Sequence, residues 1–303
     1  MTILDGKKTS NDIKQEITEE VKLIVEKGLR PPHLAAVIVG DDGASLTYVG
    51  SKVKACNRVG FDSSLIRLPN KTTQNQLLEK VEELNNDATI DGYIVQLPLP
   101  QHIDSQTILM AIDPNKDVDG FHPVNFGKMA LNLPTFISAT PHGIMELLKR
   151  YKVPTEGKQT IVIGRSDIVG KPISILMGLK TNPGNSTVTL AHSRTSDINS
   201  LTLKSDIIIS ALGIPNFLKV DMVKDNAVVI DVGITRVKDS SDKGYKIVGD
   251  VDYENVSKKC SFITPVPGGV GPMTIAMLLK NNLMAYNKTV SYTHLTLPTT
   301  PYV

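Results

Sequence analysis

The sequence predicts an α/β protein of two domains, the second built on a doubly wound parallel sheet. Three observations predict it. Four short apolar runs recur in the second half, at Thr160 to Ile163, Thr187 to Leu190, Asp206 to Ser210 and Ala227 to Asp231. Most of them end at a Gly or a polar turn, and helical stretches lie between several of them. That is the pattern of parallel strands joined by right-handed crossovers. The first half alternates helices and strands with a different rhythm. Finally, 303 residues exceed a typical single-core domain and suit two.

Each element has its own signal. Ser10 to Lys27 carries Ile13, Ile17, Val21 and Ile24 at helical spacing, and Pro31 and Pro32 follow its end. Leu34 to Val39 is continuously apolar, as a strand buried on both faces should be. Gly40 to Ala44 reads as a turn, with Ser45 placed to cap the next helix. Leu46, Val49, Val53, Cys56 and Val59 form that helix's apolar face. A further helix runs through Leu77, Leu78, Val81 and Leu84. Tyr93 to Leu97 is a buried strand stopped by Pro98 and Pro100. The domain change is expected in the Pro- and Gly-containing stretch Leu133 to Gly143. A helix from Met273 to Tyr286 is expected to return to the first domain. The expected domains are therefore 1–137 plus 272–289, and 138–271. Residues 290–303 are rich in Thr and Pro and lack a helical face. They read as a disordered or non-native tail.

Composition narrows the function classes. Apolar residues make up 41% and charged residues 21%, close to ordinary globular usage. Formal net charge is +2, from 33 basic and 31 acidic residues, so no nucleic-acid or membrane partner is expected. Cys56 and Cys260 stand far apart with no C-x-x-C pairing. They read as buried free thiols, and no metal site is expected. The first twenty residues mix charges into the apolar positions, and no apolar run reaches membrane-spanning length. A cytoplasmic location is the expectation.

The strand Thr160 to Ile163 runs into Gly164-Arg165-Ser166-Asp167-Ile168-Val169-Gly170-Lys171-Pro172. Strand, Gly-containing turn and helix with Pro near its start make a dinucleotide-binding entry of Rossmann-like type. Glycine lets the backbone approach a pyrophosphate, and the helix N-terminus supplies donors. Ser166 stands where G-x-G-x-x-G has its second Gly, so a plain strand-to-helix turn is the alternative. The second strand adds weight. NAD enzymes place an acid at its end to hold the ribose hydroxyls. Here the chain reads Ala191-His192-Ser193-Arg194-Thr195, with no acid. Ser193, Arg194 and Arg165 could instead meet a ribose phosphate. A solvated basic turn is the alternative, and the joint pattern points to NADP.

In the first domain, Tyr48 and Lys52 are four apart on the expected helix and share a face, off the apolar stripe of Leu46, Val49 and Val53. A solvated flank is the plain reading of such a pair. Gln96 lies in the apolar strand Tyr93 to Leu97, where a buried amide needs partners, unless the position is at an edge or strand end. Asp117-Val118-Asp119-Gly120 fits an Asx turn, or a turn that aims a carboxylate at a ligand's amino groups. Tyr-x-x-x-Lys also occurs in short-chain dehydrogenases. There the Gly-rich loop precedes the pair, whereas here it follows by more than a hundred residues.

Five segments, taken in order, resemble the bifunctional methylenetetrahydrofolate dehydrogenase/cyclohydrolase family. They are Tyr48-Val49-Gly50-Ser51-Lys52, Val95-Gln96-Leu97-Pro98-Leu99-Pro100, Lys116-Asp117-Val118-Asp119-Gly120, the Gly164 to Pro172 loop, and Thr264-Pro265-Val266-Pro267-Gly268-Gly269-Val270-Gly271-Pro272-Met273-Thr274. The resemblance covers roughly residues 3 to 288. Ser138-Ala139-Thr140-Pro141 departs from it, with Ala where many relatives have Cys. The resemblance implies an N-terminal folate-binding domain, a Rossmann-like NADP domain, an active-site cleft between them, and a homodimer. It implies NADP-dependent oxidation of methylenetetrahydrofolate and hydrolysis of the methenyl product to formyltetrahydrofolate.

The same resemblance assigns roles to residues. Tyr48 would stack on the folate, Lys52 would be the acid/base group, Gln96 would set its protonation, and Asp119 would anchor the pterin. Val95 and Leu97 would join them in the substrate site. Pro267, Gly268, Gly269, Val270 and Gly271 would close over the folate. Gly164, Arg165, Ser166, Ser193, Arg194 and Ile234 would line the NADP site. Two rival functions remain at this point: a dehydrogenase without the second step, possibly NAD-linked, and a non-catalytic folate or nucleotide sensor.

Overall fold

The computed structural model describes residues 1–240 and 244–295. In chain order its elements are β1 (Thr2–Ile3), α1 (Gly6–Glu26), β2 (His33–Val39), α2 (Gly43–Val59), β3 (Asp62–Leu68), α3 (Gln74–Asn86) and β4 (Gly92–Val95). There follow α4 (Ser105–Ala111), α5 (Pro123–Ala130), α6 (Ala139–Arg150), β5 (Gln159–Ile163), α7 (Gly170–Gly178), β6 (Thr187–Ala191), α8 (Ile198–Lys204) and β7 (Ile207–Ser210). The chain closes with β8 (Ala227–Asp231), β9 (Thr235–Lys238), β10 (Tyr245–Val248), α9 (Tyr253–Val256), β11 (Cys260–Ile263) and α10 (Val270–Leu295).

Contacts divide the chain into two compact units, residues 1–13 with 126–277, and residues 14–125 with 278–303. These limits differ from the expected 1–137, 138–271 and 272–289. The first residues join the unit of residues 126–277 because β1 pairs with β11, Thr2 opposite Phe262, and buries Leu4 in its core. The Leu133 to Gly143 stretch is irregular up to Ser138 and helical from there on. Helix α6 starts at Ala139, and Pro141 falls in its first turn, where a missing N–H costs nothing. Gly143 lets that helix come close to Met273: a Cβ there would sit 2.7 Å from the Met273 Cβ. Helix α10 starts before Met273 and runs through Leu295, into the stretch read as a tail. The rest of that tail, 296–303, lies outside the described residues.

The first unit holds a six-stranded parallel sheet in the order β1-β11-β8-β7-β5-β6. Successive residues of its strands serve opposite faces, as the pleat requires. Val162, Ile209 and Ile230 enter one core cluster, while Ile161, Ile163, Ile208 and Val229 enter the other. Both faces are covered, which is why these strands read as continuous apolar runs. Two buried acids fasten the loops beyond the strands. Asp231 accepts from the N–H groups of Gly233 (2.9 Å), Asp250 (2.9 Å) and Val251 (3.0 Å). Asp250 accepts from those of Leu212 (2.7 Å) and Gly213 (3.1 Å). Burial pushes the Asp231 carboxyl up to about 6, against the pull of those donors.

The second unit holds a three-stranded parallel sheet, β3-β2-β4. Ala35, Val37 and Val39 of β2 and Tyr93 and Val95 of β4 share a core with Leu77, Val81 and Leu84 of α3 and Ile108 of α4. Helix α3 opens on a capping box made by Thr73 and Gln76. Helix α2 is capped by Asp42, whose carboxylate accepts from the Ser45 N–H, so the cap lies three residues before the expected Ser45. It stops at Gly60, whose φ of 83° suits glycine. Both cysteines are buried and free.

Candidate active site and nucleotide loops

Helix α2 places Lys52 by its packing. The buried positions of α2 include Ser45, Val49, Lys52, Cys56 and Val59. These recur every three or four residues, so Lys52 sits in the middle of the buried stripe. The sequence reading had it off that stripe, because a charged residue was assigned to the flank. Its side chain is held instead by three neighbours. The Nζ lies 4.8 Å from the centre of the Tyr48 ring, a cation–π arrangement. It donates to Gln96 Oε1 at 3.3 Å. The Asp119 carboxylate is close enough for each charge to act on the other.

Gln96 stands one residue past the end of β4 and outside the strand. Its backbone N–H still donates to Val37 O (2.9 Å), which extends the ladder and fixes the residue. The side-chain Nε2 donates to Leu97 O (2.6 Å), so Oε1 is turned toward Lys52. Val95 is buried in the core below, and Leu97 leads into a cis peptide bond with Pro98.

Asp117 and Asp119 divide the work of their turn. The Asp117 carboxylate accepts from Phe121 N (3.3 Å), His122 N (2.8 Å) and Asn125 Nδ2 (2.8 Å), so it shapes the loop. Between them Val118 is buried, and its carbonyl accepts from Asn281 Nδ2 at 2.8 Å. Asp119, by contrast, has no hydrogen bond to its carboxylate among the described residues. The two readings of this segment are thus both realised, one in each acid.

Electrostatics follow from burial. Desolvation lowers the Lys52 ammonium from its ordinary value, and Asp119 partly opposes this. Asp119 is half-buried by surface but deep among protein atoms. Desolvation raises its carboxyl, and Lys52 pulls it back. One turn along α2, burial pushes the Cys56 thiol up to about 12, so it stays a neutral thiol at neutral pH. Within one unit, then, an amine biased toward neutrality lies against an aromatic face, a primary amide and a carboxylate. That set can exchange a proton and bind a flat, amino-bearing ligand.

The other expected site residues lie in the six-stranded unit. Strands β5 and β6 are in register, Ile163 opposite Ala191, and Gly164 N–H donates to Ala191 O (2.9 Å). The loops that follow therefore leave the sheet side by side. Gly164 has φ 118°, and a Cβ there would sit 2.3 Å from Ala211 O. At Gly170 a Cβ would sit 2.1 Å from Gly164 O. Only glycines let the loop and the start of α7 close this tightly. Ser166 stands in the second-glycine position and has a job of its own. Its Oγ accepts from Val169 N (3.3 Å) and Gly170 N (3.2 Å), bonding the first donors of α7. Arg165, Ser193 and Arg194 are exposed, and neither arginine has an ion pair among the described residues. Uncommitted cations, no acid from His192 to Thr195 and a glycine cradle fit a dinucleotide with a ribose phosphate.

Ile234 and the Pro267 to Gly271 loop meet elsewhere in the same unit. They line a cavity of about 140 Å³ with Asp231, Gly233 and Ile247. Gly268 has φ 108°, and its carbonyl accepts from Lys7 N at 2.8 Å. A Cβ on Gly271 would come within 3.1 Å of Ile234 Cδ1. Sequence reasoning missed Asp250 as a holder of the loops beyond the six-stranded sheet, and Asn281 as a holder of Val118. The signal for Asp250 was present in Gly249-Asp250, a small residue beside an acid. A Cβ on Gly249 would sit 1.9 Å from Asp231 Oδ2.

Comparison with known proteins gives a consistent result. The family model described as tetrahydrofolate dehydrogenase/cyclohydrolase, catalytic domain, matches residues 4–119. The one described as tetrahydrofolate dehydrogenase/cyclohydrolase, NAD(P)-binding domain, matches residues 138–290. The chain is 69% identical over 286 residues to the bifunctional protein FolD of Flavobacterium johnsoniae, covering 94% of this chain and 97% of the relative. It is 58% identical over 291 residues to that of Bacteroides thetaiotaomicron, covering 96% and 99%. The crystal structure of the FolD methylenetetrahydrofolate dehydrogenase/cyclohydrolase from Campylobacter jejuni superposes with TM-score 0.90 at 48% identity, over 95% of this chain and 99% of that one. The Trypanosoma brucei enzyme, solved with NADP cofactor and inhibitor, gives TM-score 0.90 at 40% identity, over 96% and 98%.

Proposed function

Because the chain belongs to the tetrahydrofolate dehydrogenase/cyclohydrolase family, we propose that it oxidises 5,10-methylenetetrahydrofolate with NADP and then hydrolyses the 5,10-methenyl product to 10-formyltetrahydrofolate. The single observation that carries the two-step reading is the buried Lys52, bonded to Gln96 and set against Tyr48 and Asp119. A dehydrogenase alone has no need of a desolvated amine, since hydride transfer requires positioning and no obligatory proton movement at the reacting carbon.

Each residue then has a task. Tyr48 offers a ring face for stacking, and Asp119 accepts from the amino-bearing edge of the pterin. Lys52 in its neutral form takes a proton from the water that adds to the methenyl carbon. The same group, now charged, delivers that proton to the ring nitrogen as the carbon–nitrogen bond breaks, and the carbinol oxygen releases its remaining proton to solvent as the formyl carbonyl forms. A group that cycles this way works best with its pKa near working pH, and burial moves Lys52 in that direction. Gln96 Oε1 can accept an N–H from the ammonium or from the neutral amine, so it steadies both forms.

NADP supplies the hydride acceptor when bound. Gly164, Arg165 and Ser166 with Ser193, Arg194 and Ile234 would hold it, the arginines facing the ribose phosphate. Val95 and Leu97 would flank the substrate, and the Pro267 to Gly271 loop would cover it. Among the described residues no helix is long and apolar enough to cross a membrane. A cytoplasmic homodimer is the family's arrangement and is proposed on that ground. Light scattering at twice the chain mass would support it.

The test is direct. Protein mixed with methylenetetrahydrofolate and NADP should raise the reduced-nicotinamide absorbance, with a transient methenyl absorbance that decays. A methenyl signal that persists at the rate of its uncatalysed hydrolysis would reduce the chain to a dehydrogenase. No signal at all would leave a sensor.

A further inference from the structure

The turn after β6 carries two exposed residues, Ser193 and Arg194, between two that hold them. Thr195 N–H donates to His192 O at 2.8 Å, closing a four-residue turn. His192 N–H donates to Thr195 Oγ1 at 2.9 Å. Arg194 N–H donates to His192 Nδ1 at 3.2 Å. The ring of His192 thus does what an Asn or Asp side chain does in an Asx turn, accepting from the N–H two residues on. An accepting Nδ1 leaves the ring proton on Nε2, a tautomer that follows from this bond.

We propose that His192, acting with Thr195, is a positioning residue that sets the preference of this chain for a 2′-phosphorylated ribose. The inference rests on the reading of Ser193, Arg194 and Arg165 as the ribose-phosphate group. The register of β5 and β6 brings Arg165 alongside this turn, because Gly164 is tied to Ala191 directly before His192. Arg165 and Arg194 lack ion pairs among the described residues, so no protein anion orients them. What remains to orient Ser193 and Arg194 is the backbone of the turn. Fixing that backbone before the ligand arrives removes an ordering cost from binding. Releasing it would return about one residue's worth of backbone freedom, enough to weaken the phosphate contact by roughly tenfold.

The experiment uses adenosine 2′,5′-bisphosphate and adenosine 5′-monophosphate, which differ by the phosphate in question. Their affinities for the full chain are measured by calorimetry, alongside melting temperature. His192→Ala and Thr195→Val should each weaken the bisphosphate about tenfold and leave the monophosphate within twofold. His192→Asn should restore the bisphosphate affinity, because its Oδ1 can take the same N–H. Should His192→Ala fail to fold, Thr195→Val and His192→Asn still decide the matter. Equal loss of both nucleotides, or no rescue by Asn, would make the turn a general structural element and overturn the proposal. An unaltered chain that binds the two nucleotides equally would remove the ribose-phosphate reading itself, and the role of His192 with it. Arg165→Ala separates these cases. If it weakens the bisphosphate while His192→Ala does not, the reading stands and the proposal falls.

Discussion

The neighbourhood of Lys52 and the loops after β5 and β6 use charge in opposite ways. At Lys52 the cation is buried, and one amide, one ring and one carboxylate crowd it. Removal from water makes its charged form costly, which prepares it to give up a proton. At Arg165 and Arg194 the cations stand in water with no ion pair among the described residues. A guanidinium there stays charged and is available for an anion. One chain thus uses burial where a proton must move and exposure where a charge must bind. The residue types agree, since only the lysine can be tuned.

The largest expected effect breaks the buried half of this contrast. Lys52→Met should lower methenyltetrahydrofolate hydrolysis by roughly 10²–10⁴-fold, as loss of a general acid–base does. Oxidation should fall much less, and the methenyl compound should accumulate, as followed by its absorbance. Lys52→Arg should fail at hydrolysis in the same way, because a guanidinium keeps its proton. Hydrolysis near the unaltered rate in either variant would end the acid–base reading.

Next in size is Asp119→Ala. Loss of charged hydrogen bonds to the substrate should cost about 1.5–3 kcal/mol, or roughly 10–100-fold in folate affinity. Both activities should drop while NADP binding, measured by calorimetry, is retained. Normal folate affinity would move the anchor elsewhere.

Arg165→Ala tests the exposed half. Efficiency with NADP should fall by about tenfold, with NAD little changed, because one solvated charge contact is lost. A variant that loses both cofactors equally would argue for a structural Arg165.

The smallest effect concerns stability, and its sign follows from burial. Folding lowers the pKa of Lys52, so the native state carries the cost of a buried ammonium at neutral pH and is relieved of it as pH rises. Lys52→Met should therefore melt higher at pH 7 than the unaltered chain. The gain should shrink through the alkaline range, as titrated by thermal melts. A gain that is constant with pH would point to packing alone.

Much of this was legible from residues. The runs Thr160 to Ile163 and Ala227 to Asp231 were readable because both faces of their sheet are covered. Lys52 was found through its partners in the motif, but its burial was not. Sequence pattern assigns charge to the solvent side, and only packing reveals a cation inside the stripe. Gln96 was read as a strand residue and sits just beyond the strand, since ladder bonds continue past the last regular pair. Helix α6 was hidden by Pro141 and Gly143, which signal a loop unless the Pro falls in a first turn. The place of β1 could not be read at all. Two residues carry no periodicity, and their partner strand lies some 260 positions away.

The pair Asp231 and Asp250 has a consequence for motion. Loop amides ordinarily exchange their hydrogens with solvent within moments, because nothing shields them. The amides of Leu212, Gly213, Gly233 and Val251 lie outside the strands, yet each is bonded to a buried carboxylate. Their exchange must wait for these loops to open, an event that would strand two acids in the interior. In heavy water they should keep their protons as long as the strands they follow. The rim of the nucleotide sheet would then behave as a rigid extension of its core, and fluctuation would be left to side chains such as Arg165.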